Sequence, residues 1–340
     1  MVSFQQAVDL KPYNTFGLHA RARYFVSVET ADQFREVLNS HIFKNEKRLI
    51  LGGGSNLLLT KDFDGLVILN RFRGIDILEQ NDDRITLSVA SGEEWHPFVM
   101  HCVNNNWGGI ENLALIPGTV GAAPMQNIGA YGVEVREVIE QVQGIELSNG
   151  NEMTFNNDEC MFGYRESVFK HEWREKIFIS SVTLSLTKKN HRLRLEYGAI
   201  KETLNAMNIT TPTIQSIAQA VIAIRQSKLP DPRITGNSGS FFKNPTIPIQ
   251  HYEMIVKEHP TMPGYRSENQ LVKIPAAWLI ESCGWKGKKY KHAGVHHQQA
   301  LVLINDGNAT GEEILELSHL IQDDVNKKFG IQLSPEVNII

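Results

Sequence analysis

Ile116-Pro117-Gly118-Thr119-Val120-Gly121-Ala122-Ala123-Pro124-Met125-Gln126-Asn127-Ile128-Gly129-Ala130-Tyr131-Gly132 carries four glycines, two prolines and no charged side chain. Such a stretch makes a poor helix and a poor strand. Its small residues let backbone approach a large flat ligand, and the amides of Gln126 and Asn127 offer hydrogen bonds to it. A surface loop of this length ordinarily carries charge, yet the charge-free run extends over 22 residues, Asn112–Val133. The segment reads as a binding loop.

A second glycine cluster, Gly52-Gly53-Gly54-Ser55-Asn56, sits between the apolar runs Leu49–Leu51 and Leu57–Leu59. The pattern predicts two strands with a tight loop between them. Successive glycines permit positive φ, and a concave row of N–H groups can hold a phosphate. An ordinary glycine-rich hairpin turn satisfies the same residues. Neither G-x-G-x-x-G opening a helix nor a P-loop lysine is present, so the common dinucleotide motifs are excluded.

The rest of the chain mixes helix and strand without internal repeats. Thr30 and Gln33 form a capping-box pattern before Phe34, Val37 and Leu38, and Thr310 and Glu313 form another before Ile314, Leu317, Ile321, Val325 and Phe329. Helices are also predicted over Glu93–Asn106 and Ile214–Ser227. Strands are predicted at Val67–Leu69, Ile85–Val89, Val142–Leu147, Ile177–Leu186 and Ala300–Ile304. A composition shift near residue 70 and the Pro230/Pro232 segment Leu229–Arg233 mark candidate boundaries.

Composition sets the outer limits. Of 340 residues, 34 are basic and 38 acidic, a net charge of −4 that advertises no nucleic-acid or anionic-membrane partner. Apolar residues and glycine reach about 46%, inside the ordinary globular range of ~45–50%. The charge-free run Asn112–Val133 is broken by proline and glycine, and a second, Thr203–Ile224, is crowded with Thr, Asn and Gln, so neither is a membrane span. Met1–Lys11 lacks the basic and apolar regions of a signal peptide, and three cysteines share no CxxC spacing. A reducing cytoplasm is expected.

Asn14-Thr15-Phe16-Gly17, Gly53-Gly54-Ser55-Asn56, the 116–132 loop, Phe162-Gly163-Tyr164-Arg165-Glu166-Ser167, Lys228-Leu229-Pro230-Asp231-Pro232, Gly239-Ser240-Phe241-Phe242-Lys243-Asn244-Pro245, Gln298-Gln299-Ala300-Leu301-Val302 and Pro335-Glu336-Val337 follow one another in order. Together they resemble the UDP-N-acetylenolpyruvoylglucosamine reductases. The resemblance implies an α+β chain: an FAD-binding fold of the vanillyl-alcohol-oxidase/p-cresol-methylhydroxylase type over residues 13–190, in two subdomains split near 70. A C-terminal α/β substrate domain follows over 191–340, its tail 334–340 returning to the active site. It further implies NADPH-dependent, FAD-mediated reduction of the enolpyruvyl group of UDP-N-acetylglucosamine enolpyruvate to UDP-N-acetylmuramate, for peptidoglycan precursors. FAD would be held non-covalently, with NADPH a co-substrate using the substrate cleft in turn.

Residue roles carry over from the same boxes. Gly53, Gly54, Ser55 and Asn56 match pyrophosphate contacts, and Pro117, Gly118, Thr119, Gly121, Ala122, Gln126, Asn127, Gly129, Ala130 and Tyr131 match flavin contacts. Leu195-Glu196-Tyr197-Gly198 is similar to the substrate loop of the family's larger type. Tyr197, Arg225, Lys228, Asn244, Tyr265 and Gln299 match substrate-binding positions. Hydride delivery to an enolpyruvyl methylene leaves negative charge on the adjacent carbon and its carboxylate, so a cation and an acid are needed. Arg165 matches the family's catalytic arginine, and its planar fork suits a carboxylate. Glu336 matches the partner that stabilises the intermediate, as a protonated acid with its pKa raised. Ser238 and Ser240 are both available hydroxyls, and composition does not choose between them; the family pattern places the proton donor before Phe-Phe, hence Ser240.

Other readings are open at this stage. A flavin-dependent sugar or alcohol oxidase would share the fold, and a flavin-free nucleotide-sugar module would share the loops. A hydrolase elbow needs glycine where Ser240 stands. His292, His296 and His297 could suggest a metal, but His296 and His297, adjacent in an expected strand, would face opposite ways. No metal is assigned.

Overall fold

Leu66–Leu69 is buried inside a four-stranded sheet ordered Gln5–Asp9, Arg21–Val28, Phe63–Asn70, Lys47–Leu51 in a computed structural model, which describes residues 2–340. Lys47–Leu51 and Phe63–Asn70 run parallel, Leu51 opposite Leu69. Parallel neighbours cannot be joined by a tight turn. The two expected strands flanking the glycines form, but they do not pair as the alternative hairpin would: the chain leaves the sheet at the glycines, and Leu57–Leu58 pairs in parallel with Asn338–Ile339.

Close contacts divide the chain into two units. The first is Met1–Val8, Ala22–Gly53 and Asp64–Ser227; the second is Asp9–Arg21, Gly54–Phe63 and Lys228–Ile340. In the first unit a five-stranded antiparallel sheet follows residue 70, ordered Glu152–Asn156, Ile139–Glu146, Ile177–Thr187, Arg84–Ala90, Ile75–Gln80. The Ala31–Asn39 helix packs on the earlier sheet, Phe34 stacked 4.0 Å from Phe178. Thr30 accepts the Gln33 N–H, while the Gln33 side chain accepts from Glu29 rather than from the cap residue.

The sequence drew its main boundary at 190/191, whereas residues 191–227 pack with the first unit. Ile200, Leu204, Ile217, Val221 and Ile224 are buried in the same core as Leu87, Val89, Trp95 and Val182. The break falls instead at Ser227/Lys228, beside the proline-rich segment.

The second unit carries an antiparallel sheet ordered Gly236–Ser240, Val302–Asn305, Ala293–Val295, Lys289–Tyr290. Against it lies the Gly311–Phe329 helix, with Ile314, Leu317, Ile321, Val325 and Phe329 buried. Its capping box is reciprocal: Glu313 N–H donates to Thr310 Oγ1 at 3.2 Å and Thr310 N–H to Glu313 Oε2 at 3.1 Å. Among the described residues no helix is long and apolar enough to cross a membrane.

Gly311, the first residue of that helix, packs so closely on Leu59 that an added Cβ would overlap the Leu59 carbonyl. In an open helix Gly→Ala stabilises by up to about 1 kcal/mol. Here we expect the opposite sign: Gly311→Ala should lower the thermal midpoint, and a raised midpoint would contradict this packing.

Candidate active site

In the first unit, the 116–132 loop is fastened to the turn carrying Arg165 by three side-chain-to-backbone bonds. Ser167 Oγ donates to Met125 O at 2.6 Å, Asn127 Nδ2 to Gly163 O at 2.9 Å, and Arg165 Nη2 to Gly129 O at 2.9 Å. The turn itself closes by the paired Gly163–Glu166 backbone bonds, 2.9 and 3.2 Å. Arg165 occupies its left-handed corner at φ 56°, and Lys170 Nζ donates to its carbonyl. A non-glycine residue in that region stores about 1–3 kcal/mol and persists only where neighbours fix it.

Asn127 corrects the expectation of a ligand-facing amide. The residue is fully buried at φ 43°; its second N–H donates to Glu134 Oε2 and its carbonyl accepts the Arg136 N–H. Both of its amide donors and one acceptor site brace the loop. Gln126, Gly129, Ala130 and Tyr131 are half-buried, and Pro117 and Ala122 are exposed.

The glycines have a packing cause as well. A Cβ at Gly53 would lie 3.0 Å from Gly118 Cα, one at Gly52 2.7 Å from Thr119 Oγ1, and one at Gly121 2.5 Å from Ser91 Cβ. Backbone thus meets backbone at Gly53 and Gly118, while Gly52 and Gly121 leave room for the Thr119 and Ser91 side chains. Gly54, at φ 60°, belongs to the second unit and packs on Tyr13–Asn14.

Arg225 projects from the Ile214–Lys228 helix with a buried Nε that has no hydrogen-bond partner. Burial lowers its pKa, Tyr131 opposes that, and the Arg165 cation adds to the lowering. Tyr131 is pushed up by burial and pulled back by Arg225. Arg225 is thus coupled electrostatically to both Tyr131 and Arg165. Tyr197 is 63% exposed; its Cβ lies 3.3 Å from a Cβ built on Gly132, so it sits over the end of the 116–132 loop.

In the second unit, Ser240 and Glu336 are joined through Phe241. Phe241 N–H donates to Leu301 O, and the Glu336 N–H donates to Phe241 O at 2.8 Å. Glu336 lies between the Phe242–Pro335 bridge and the Asn338–Ile339 strand, rather than inside a strand. Asn56 Nδ2 donates to Glu336 O at 3.2 Å, which ties the glycine-box residue to the terminal segment. Ser240, opposite Val302, follows a register shift and Gly239 at φ 72°. Ser240 is half-buried, whereas Ser238 is buried with an unpartnered Oγ.

Asn244 Oδ1 accepts the Ala276 N–H, capping the Ala276–Ser282 helix. Gln299 turns into the Val302–Asn305 strand, its carbonyl accepting the Val302 N–H. Lys228 is exposed, as is Tyr265 at 65%. The histidine expectation needs correction: His296 and His297 follow the Ala293–Val295 strand, and their rings lie 4.4 Å apart instead of on opposite faces. Burial, then the His297 charge, lowers the His296 pKa.

Two bracing residues escaped the motif reading. Buried Asn112 donates to the carbonyls of Tyr131 and Arg194, both at 3.0 Å, and His96 Nδ1 accepts the Leu115 N–H. For Asn112 the one available signal was its place at the start of the charge-free run.

This arrangement defines a protein with an FAD-binding-type unit and a separate C-terminal domain. A model described as FAD binding domain matches residues 22–155, and one described as UDP-N-acetylenolpyruvoylglucosamine reductase, C-terminal domain, matches 231–340. The UDP-N-acetylenolpyruvoylglucosamine reductase of Flavobacterium johnsoniae is 48% identical over 339 residues, covering 100% of both chains. That of Chromobacterium violaceum is 46% identical over 340 residues, covering 100% of this chain and 99% of its own. The crystal structure of the Thermus caldophilus enzyme superposes with a TM-score of 0.69 at 22% identity, over 100% of this chain and 98% of that one, and shows the fold. The chain belongs to the UDP-N-acetylenolpyruvoylglucosamine reductase family.

The loop fastening can be tested at Asn127. Asn127→Asp keeps the acceptor for Arg136 but removes both donors and sets a charge against Glu134. A loss of about 1–3 kcal/mol, the range for orphaning buried polar groups, is expected in chemical denaturation. Unchanged stability would show that the amide is dispensable.

Proposed function

We propose that the chain is the NADPH-dependent flavoenzyme that reduces UDP-N-acetylglucosamine enolpyruvate to UDP-N-acetylmuramate. The observation that carries this is the full-length, 48% identity with a reductase of that name, over a chain holding Arg165, Ser240 and Glu336 in their boxes. The same match leaves nothing to favour the oxidase alternative. A cytoplasmic setting is part of the proposal, supported by three unpaired cysteines, two of them buried.

Bound FAD supplies the hydride carrier between NADPH and the enolpyruvyl double bond. Gly53, Gly54, Ser55 and Asn56 would hold its pyrophosphate, and Pro117–Ala122 with Gln126 and Gly129–Tyr131 would line its rings; Asn127 would shape that loop from behind. The residues' own work follows from charge. Arg165, held at its turn corner, offers parallel N–H donors to the substrate carboxylate as negative charge grows there. The Ser240 hydroxyl delivers a proton to the carbon next to that carboxylate. An enolate is basic enough to take it, so a weak acid suffices when a cation is near. Glu336, tied one residue from Ser240 through Phe241, supports the charged intermediate as a protonated acid. Arg225, Tyr197, Lys228, Asn244, Tyr265 and Gln299 bind the sugar nucleotide in this reading. Asn244 would do so through its amide nitrogen, since its oxygen caps a helix.

Anaerobic stopped-flow separates two halves, bleaching of the yellow colour by NADPH and its return with the enolpyruvyl sugar. Ser240→Ala should leave bleaching near wild type and slow the return by on the order of 10²–10⁴, the range for a lost positioned acid. Ser240→Cys should recover part of this, and Ser238→Ala should do little. Equal slowing of both halves in Ser240→Ala would remove Ser240 from the donor role.

Arg165→Lys should also impair the return half heavily despite the retained charge, because a point cation cannot supply a bidentate fork. A near-normal rate for this variant would contradict the carboxylate contact.

A further inference from the structure

His96 lies in the first turn of the Trp95–Asn104 helix, and its Nδ1 is 3.0 Å from the Leu115 nitrogen. A backbone amide can only donate, so Nδ1 accepts and the ring proton sits on Nε2. Leu115 holds φ 60° and directly precedes Ile116-Pro117-Gly118. A leucine in the left-handed region persists only where its surroundings fix it. The His96 bond is that fixation, at the point where the chain enters the binding loop.

The imidazole's surroundings favour its neutral form. Burial, then the Arg225 cation from the Ile214–Lys228 helix, lowers its pKa. The carboxylates near His96 and Leu115 in the chain are engaged elsewhere: Glu93 with Gly74 N–H and Arg73, Glu94 with Arg73, and Glu111 with Gly109 N–H. A proton on Nδ1 would set two donors face to face and break the contact with Leu115.

We infer that His96 is a positioning residue whose neutral imidazole holds Leu115 left-handed and so fixes the entry of the FAD-facing loop. The inference rests on the proposed flavin reading and deepens it. Because the folded pKa lies below the ordinary value, the bond is fully present above about pH 6.5 and is lost as pH falls through the lowered value.

The test compares wild type, His96→Asn and His96→Leu, each stripped of flavin and titrated with FAD by fluorescence between pH 7.5 and 5. Asparagine Oδ1 stands near the position of Nδ1 and does not titrate in this range. Wild-type affinity should weaken with falling pH by on the order of tenfold, the size of one hydrogen bond. His96→Asn should match wild type at pH 7.5 and stay flatter, while His96→Leu should be weak throughout. Amide exchange at Leu115 in the flavin-stripped proteins should be slow in wild type and His96→Asn and fast in His96→Leu. Wild-type-like affinity and exchange in His96→Leu would overturn the inference. Should His96→Leu fail to fold, a His96→Asn variant that follows the wild-type pH dependence would overturn it as well. A wild type that takes up no FAD would strike at the flavin reading alone, and Leu115 exchange would still decide the role of His96.

Discussion

The first unit's chemistry depends on one mechanical constraint, the fastening of the 125–129 backbone to the 163–167 turn. Ser167, Asn127 and Arg165 each send a side chain from one segment to a carbonyl of the other. A loop rich in glycine and alanine has few side chains with which to hold its own shape, and the conformational entropy of so many small residues opposes order. Order comes from outside, through polar groups reaching in. The same bonds orient Arg165, so the loop and the proposed catalytic cation are fixed by one set of contacts.

The second unit solves a similar problem with backbone pairing. Phe241 takes a bond from Glu336 and gives one to Leu301, which places Ser240 and Glu336 one peptide apart in the hydrogen-bond sequence. The terminal residues then pair in parallel with Leu57–Leu58, Asn338 Nδ2 donates to Asn56 O, and Asn56 Nδ2 donates to Glu336 O. Residues separated by nearly the whole chain thus share one short ladder. The buried rings of Phe241 and Phe242, 5.1 Å apart, anchor it to the core.

Sequence patterns revealed local elements well and long-range partners poorly. The Thr310–Glu313 box and its apolar stripe marked a helix, because capping and helical periodicity are set within a few residues. The two strands flanking Gly52–Asn56 were legible but their partners were not, because parallel pairing of Lys47–Leu51 with Phe63–Asn70 is invisible in either strand alone. Residues 191–227 were assigned to the wrong side of the boundary for a related reason: the Ile217, Val221 and Ile224 stripe shows that a face is buried but not against what. At the site, the boxes carrying Arg165, Ser240 and Glu336 were legible through family resemblance. The inward turn of Asn127 was not, since nothing in a small-residue loop distinguishes an amide that meets a ligand from one that braces the loop. His96 lay outside every motif because its role comes from a single bond to a strained backbone.

In the proposed two-step exchange, reducing equivalents from NADPH end on an enolpyruvyl carbon, with protein groups handling charge and proton. An anaerobic titration of the purified holoenzyme tests that exchange most directly. One equivalent of NADPH should bleach the flavin absorbance, and one equivalent of UDP-N-acetylglucosamine enolpyruvate should then restore it without oxygen. Colour that returns only on admitting air, and not with the enolpyruvyl sugar, would contradict it.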